Sequence, residues 1–258
     1  MDPLNRNKQQ PNISQEKISP QELREKLKDP YYLPKNREEI MSAFSTFQEW
    51  YNFCFDEENP VFEFLNEEFI DRLSDYLAKR IEELKGSEES PIIILEVGAG
   101  NGRLSHFLRQ KLQEKVPGKF KIIAVDSGEW GIKPVFEVEK MDYREALKKY
   151  NPQIIICSWM PYKVDFTGDF RATASVKEYI LIGETDGGCC GDEWLTWGYR
   201  PLSYEEGEEE KSLTPPYAED GFEREDLMDI SRKQICRTDF PPFKRFNSRT
   251  VSFRRKEE

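Results

Sequence analysis

The sequence has little histidine, no long apolar run, no paired-cysteine motif and no excess of positive charge, and each lack removes a class of function. One histidine, His106, stands among 258 residues, so no metal centre built on His and Cys is expected. The five cysteines Cys54, Cys157, Cys189, Cys190 and Cys236 form no C-x-x-C spacing and no even framework, which points to a reducing, cytoplasmic setting. No stretch approaches the roughly 18 apolar residues that span a bilayer. The N-terminus lacks the apolar core of a secretory signal. A soluble chain with no membrane partner is therefore expected. The formal net charge of -11 argues against a nucleic-acid partner, whose phosphates favour a basic surface. Hydrophobic residues make up only 37%, so some segments should stay outside the core, while 13% aromatics restore burial where the chain does pack.

What is present falls into three parts. Residues 1–35 are rich in Gln, Asn, Lys, Glu and Pro and read as a flexible arm, with a short helix over Pro20 to Leu27. Residues 36–86 read as a helical cap. Asn36 with Glu39 makes a capping box, followed by one stripe of Ile40, Phe44, Phe47, Tyr51 and Cys54. A second helix is predicted to start at Asn59-Pro60, to carry Leu65, Phe69, Leu73, Tyr76, Leu77 and Leu84, and to end at Gly86.

Residues 87–258 change character. Ile92-Ile93-Ile94-Leu95, Ile122-Ile123-Ala124-Val125, Ile154-Ile155-Ile156-Cys157 and Tyr179-Ile180-Leu181-Ile182 are continuous apolar runs, the mark of strands buried on both faces of a parallel sheet. A further strand is predicted near Val135 to Val138, and helices after the first run and over Tyr143 to Tyr150. The alternation implies an α/β, Rossmann-like, doubly wound sheet of seven strands. A helix around Glu223 to Ser231 is predicted next. Gln234–Arg237 and Thr250–Arg254, joined across Pro241-Pro242, then read as an antiparallel pair at the sheet edge. Glu205 to Lys211 is an acidic, solvated loop.

The first strand runs into Glu96-Val97-Gly98-Ala99-Gly100-Asn101-Gly102. Three glycines in one strand-to-helix turn permit left-handed dihedrals and let a ligand lie on bare backbone. Doubly wound sheets bind ligands at that edge. A dinucleotide turn would carry Gly or Ala where Arg103 stands, which counts against a nicotinamide cofactor. The observed E-x-G-x-G-x-G instead resembles motif I of the class I S-adenosylmethionine-dependent methyltransferases. The order of strands over roughly residues 91 to 255, closing on an antiparallel pair, resembles that family too.

The resemblance implies S-adenosyl-L-methionine as cofactor. It assigns Glu96 to organising the methionine end, and Gly98, Ala99, Gly100 and Gly102 to the cradle. Asp126, at the end of the second strand, would accept the ribose hydroxyls, and Asp142 in Met141-Asp142-Tyr143 the adenine amino group. Ser127 is small where the family often has a bulky apolar residue against adenine, and Trp130 or Ile132 can take that part. Asp126 also suits a turn with Ser127-Gly128, and Asp142 also suits a helix cap with Glu145.

The fourth strand ends in Ser158-Trp159-Met160-Pro161-Tyr162. Family members acting on nucleic-acid amino groups often carry [DNS]-P-P-[YFW] there. Trp159 stands in the polar position, so nucleic-acid amino methylation is disfavoured. The glycine-rich stretch after the fifth strand holds Glu184, Asp192, Glu193, Trp194 and Trp197. With Trp159, these tryptophans suggest a walled anionic pocket suited to an amine or cation, or alternatively a plug on the core. Tyr162, Asp192 and Glu193 are the candidate catalytic groups, with Glu184 behind them, needed only if the acceptor must lose a proton. Cys189-Cys190 reads as packing and His106 as structural. The leading expectation is a methyltransferase acting on a small molecule by in-line transfer. A protein side-chain methyltransferase, a non-catalytic cofactor-binding partner subunit and a nicotinamide oxidoreductase are the alternatives.

Overall fold

A computed structural model describes residues 18–200, 214–239 and 248–256. The first apolar run forms β1 (Ile92–Val97), flanked in parallel by β2 (Phe120–Asp126) and β4 (Ile154–Ser158). Beyond β2 lies the two-residue β3 (Glu139–Lys140), and beyond β4 lies β5 (Glu178–Glu184). The last strand β7 (Ser248–Arg255) runs antiparallel between β5 and β6 (Phe222–Asp226). The order is therefore β3-β2-β1-β4-β5-β7-β6, with β7 alone reversed.

Successive side chains on these strands enter opposite layers. Ile94, Ile154, Ile156 and Ile180 pack on one face against α4 (Glu67–Glu83) and α5 (Arg103–Lys115). Leu95, Val125, Ile155, Cys157 and Leu181 pack on the other against α6 (Tyr143–Tyr150) and Trp197. Because both faces are covered, the strands need apolar residues at every position rather than at alternate ones. The mostly parallel sheet, the four apolar strands, the α6 span and the antiparallel closing strand agree with the sequence.

Several boundaries differ, each for a local reason. The single stripe expected after Asn36 is cut into α2 (Arg37–Ser42) and α3 (Phe47–Cys54). Thr46 and Glu49 form a second capping box there, and a reciprocal cap starts a helix anew. The helix placed at Asn59-Pro60 begins instead at Glu67. Asn66 caps it by accepting from Phe69 N–H, and also donates to the Lys233 carbonyl. Residues 61–65 are thereby left extended, and Glu63 bridges antiparallel to Cys236.

Gln234–Arg237 is committed to that bridge, so it does not pair with β7. The closing partner is β6, where a helix was expected. Phe222 is buried there, and Glu225 pairs with Arg254 of β7, a cross-strand charge match that a sheet edge rewards. Only Met228–Ser231 is helical, as the short α9. Val135 to Val138 is not a strand: Val135 and Phe136 N–H groups donate to Asn101 O, and the Phe136 ring stacks on His106 at 3.9 Å.

The arm expected over residues 1–35 is ordered in its described part. Helix α1 (Pro20–Lys28), which matches the short helix expected, buries Leu23 and Leu27 in a cluster with Ile40, Phe44, Trp50 and Ile235. Helix α4 shares the sheet's own core, so residue 86 marks no boundary in packing. Helices α7 (Thr167–Ala172) and α8 (Pro216–Glu219) had no sequence signal. The acidic run, residues 1–17 and Pro241-Pro242 lie outside the described residues.

Candidate functional site

The glycine turn leaves the carboxyl end of β1 with left-handed backbone at Gly98, Gly100 and Gly102 (φ 69°, 54° and 81°). The three differ in what surrounds them. A Cβ at Gly102 would meet Val138 Cγ2 at 2.7 Å, so that glycine serves the packing of residues 136–138. A Cβ at Gly100 would touch Ile132 at 3.6 Å. A Cβ at Gly98 would meet nothing within 4 Å: the backbone there faces open space. The register Val97↔Cys157 sets Ser158, half-buried at the end of β4, beside this opening.

Two carboxylates hold the turn. Glu96 is 2% exposed and accepts from Ser105 N–H at 3.0 Å and from the Ser105 hydroxyl. Gly102 has no side chain to cap α5, and Glu96 supplies that cap from the strand. Burial raises its carboxyl to about 7, against the lowering effect of the Ser105 bonds. Asp126 is half-buried, accepting from Gly100 N–H at 2.9 Å on one oxygen and from Gly128 N–H at 2.7 Å on the other. It thus both makes the turn with Gly128 and points at the glycine cradle. A carboxylate has about four lone-pair sites, so both oxygens can accept further bonds.

Around this centre the other cofactor candidates divide. Ala99 N–H donates to Val125 O, tying the turn to β2, and Met141 N–H donates to Asp126 O, tying the end of β3 to β2. Ser127 is exposed and accepts from Glu129 N–H. Asp142 caps α6 by accepting from Arg144 N–H. Tyr143 is turned into the core, with its hydroxyl on Asp169 and its ring on Phe166, and is not part of the opening. Trp130 is 66% exposed on the loop after β2. It meets Phe62 edge-on at 6.5 Å, and Phe62 in turn lies 5.8 Å from Trp159.

The acceptor wall expected from Trp159, Trp194 and Trp197 does not assemble, and Tyr162 does not join it. Trp197 is 2% exposed, donates to Cys190 O at 2.6 Å and packs on Phe253; it is the core plug. Trp194 lies under the Arg200 guanidinium, and Tyr162 is 57% exposed. Asp192 caps its turn, accepting from Trp194 and Leu195 N–H groups on one oxygen. Glu193 contributes its carbonyl to Tyr199 N–H. Trp159 alone of the predicted wall reaches the sheet edge, at a left-handed φ of 60° held by its N–H to Ile182 O. Cys190 is buried, Cys189 is half-buried, and both are free thiols.

Three residues of this edge escaped the sequence reading. Phe62 and Glu63 sit in Val61-Phe62-Glu63-Phe64-Leu65, where one acid inside an apolar run was the available signal. Thr238 gave none; its hydroxyl donates to Glu184, whose other oxygen accepts from Cys189 N–H. A separate groove along β2, lined by Arg109, Lys121, Glu137 and Tyr150, lies away from the glycine turn. Among the described residues no group of three His, Cys, Asp or Glu is placed to hold a metal ion, and no helix is long and apolar enough to cross a membrane.

No protein-family model and no curated protein matches the sequence. Among solved structures, the chain is similar to the citrinin polyketide synthase CMeT domain at 14% identity, over 75% of this chain and 54% of that one, with a TM-score of 0.43. It is similar to the CurJ carbon methyltransferase at 12% identity, over 73% and 54%, with a TM-score of 0.42. It is also similar to the plantazolicin methyltransferase BpumL, solved with SAH, at 10% identity, over 74% and 86%, with a TM-score of 0.33. The chain spans about half the length of the first two. Likeness at this level carries no argument about activity; the residues of the site carry it.

Proposed function

We propose that the chain binds S-adenosylmethionine at the glycine turn and transfers its methyl group to a small-molecule acceptor. The observation that carries this reading is the open backbone at Gly98 beside Asp126, at the carboxyl edge where β1 meets β2 and β4. Gly98 gives the cofactor main chain without a Cβ to lean on. Asp126, fixed by two N–H groups, presents its remaining lone pairs to the ribose. Glu96 keeps the start of α5 in place beneath the methionine end. Ser158 and Trp159 line the β4 side, and Met141 and Asp142 stand at the adenine side.

The reaction asks little more of the protein than placement. Displacement at a sulfonium methyl needs no acid for the leaving group, so holding donor and acceptor in line supplies much of the rate. The sheet order favours this cofactor over a nicotinamide dinucleotide. The dinucleotide order is an all-parallel 3-2-1-4-5-6, whereas here β7 is inserted antiparallel beside β5. Arg103 adds to the contrast: its guanidinium donates to Pro30 O and Tyr32 O and faces away from the turn.

Turnover of a methyl-labelled donor with a metabolite panel and a protein panel tests the reading. Label in small molecules is expected. Label confined to protein would move the acceptor to side chains, and cofactor binding with no label anywhere would leave a partner subunit.

A further inference from the structure

Beneath the extended segment 61–65, three carboxylates converge: Glu63 itself, Glu184 at the end of β5, and Asp239 ahead of β7. Glu184 is engaged by the Thr238 hydroxyl and by Cys189 N–H. Asp239 accepts from Cys236 N–H at 2.8 Å and from the Ser248 hydroxyl. Glu63 differs. Its Oε1 accepts from Gln234 at 3.4 Å, while Oε2 is sealed from solvent with no hydrogen-bond partner among the described residues. An enclosed acceptor left open beside two other acids costs several kcal/mol if it is ionised. A metal ion does not relieve it, since the described residues form no metal-holding group there.

We propose that Glu63 is the binding residue for a primary ammonium group on the methyl acceptor. This rests on the methyltransferase reading, because it is the position of Glu63 along the sheet edge that makes the ammonium the acceptor's. Glu184 ends β5, which lies beside β4, and β4 lies beside β1 and the glycine turn. Glu63, packed near the end of β5, is therefore displaced from the glycine turn along the same sheet edge. Glu63 and Cys236 are opposite partners across the bridge, so Phe62 and Arg237 belong to the other face of that ribbon, where the guanidinium lies 4.6 Å from the Phe62 ring. Arg237 is thus turned to the Phe62 side, although its charge still acts on Cys189 and Cys236. A primary ammonium also occurs on the cofactor's own methionine end, and the test separates the two sources.

Burial, then the nearby Asp239, raises the Glu63 carboxyl well above its ordinary range, despite the Gln234 bond. The groups facing it are Glu184, Cys189 and Cys190 from β5 and the turn after it, and Gln234, Cys236 and Asp239 from the other side. The empty carboxyl therefore holds its proton more tightly than an exposed one, and taking an ammonium favours its ionised form, releasing that proton.

The experiment titrates the full chain with phenethylamine and with 2-phenylethanol, which differ in ammonium against hydroxyl, and with S-adenosylmethionine. In wild type we expect the amine to bind at least tenfold tighter than the alcohol. Its affinity should rise with pH as the Glu63 proton is given up, while the alcohol's stays flat. In Glu63→Gln the preference for amine should vanish, with cofactor affinity within twofold of wild type. Equal binding of the two probes, a preference surviving in Glu63→Gln, or a Glu63→Gln loss confined to the cofactor would each overturn the proposal. If the variant does not fold, the wild-type ratio and its pH dependence decide. A chain that keeps the amine preference and binds no S-adenosylmethionine would sink the cofactor reading and spare this site.

Discussion

Gly98 and Gly102 have the same left-handed backbone and opposite surroundings, so alanine at each should separate folding from binding. At Gly98 the cost is conformational only, roughly 1–2 kcal/mol for a non-glycine residue in that region, because the new Cβ meets nothing within 4 Å. At Gly102 the same cost is joined by the collision with Val138 Cγ2 at 2.7 Å and Phe136 Cβ at 3.2 Å. Overpacking of that kind adds about 1–3 kcal/mol. For a domain of this size, each kcal/mol lowers Tm by about 2–4 °C. Gly98→Ala should therefore melt a few degrees low and Gly102→Ala markedly lower. Binding should not follow stability. The Gly98 methyl group stands where the cofactor would lie, so its affinity should fall at least tenfold in calorimetric titration. If Gly98→Ala melts as expected yet binds S-adenosylmethionine like wild type, the open face is not the cradle.

Other consequences concern the scaffold. Glu96 ionises near 4.5 when unfolded and about 7 when folded, so the folded state holds an extra proton between those values. Stability should then fall as pH rises through this window, by up to about 3 kcal/mol, and level off above it. Urea melts at pH 5 and 8 should show that loss shrinking in Glu96→Gln, with the rest following Glu63; an unchanged slope would contradict the assignment. Trp197→Ala should cost about 3–5 kcal/mol as a core cavity, and Tyr162→Ala within about 0.5 kcal/mol; equal losses in chemical denaturation would refute the plug. Arg103→Ala strands the carbonyls of Pro30 and Tyr32 and should cost about 2–4 kcal/mol. Limited proteolysis should then cut near residues 29–35 before the sheet, and wild-type protection of that stretch in the variant would refute the anchor.

The sheet was legible because burial on both faces writes itself as uninterrupted apolar runs, as in Ile92–Leu95 and Ile154–Cys157. The turn was legible because left-handed backbone selects glycine. What failed was decided by contacts distant in sequence. Phe222–Asp226 carries four charged residues after one Phe, and only pairing with Ser248–Arg255 makes it a strand. Val135 to Val138 looks like a strand but spends its apolar groups on Gly102 and His106. The tryptophans after β5 were left as either a pocket wall or a core plug because composition does not say which way a ring turns; Trp197 turned inward. Glu63 was hidden because its meaning lies in Cys236, Asp239 and Glu184, all far along the chain.

The central claim is most directly tested by titrating the full chain in a calorimeter with S-adenosylmethionine and, separately, with NAD, in wild type and in Asp126→Ala. We expect saturable one-to-one binding of S-adenosylmethionine alone, weakened by roughly 1–3 kcal/mol in the variant as the ribose hydroxyls lose their acceptor. Binding of NAD in its place, or S-adenosylmethionine affinity that ignores the loss of Asp126, would contradict the account.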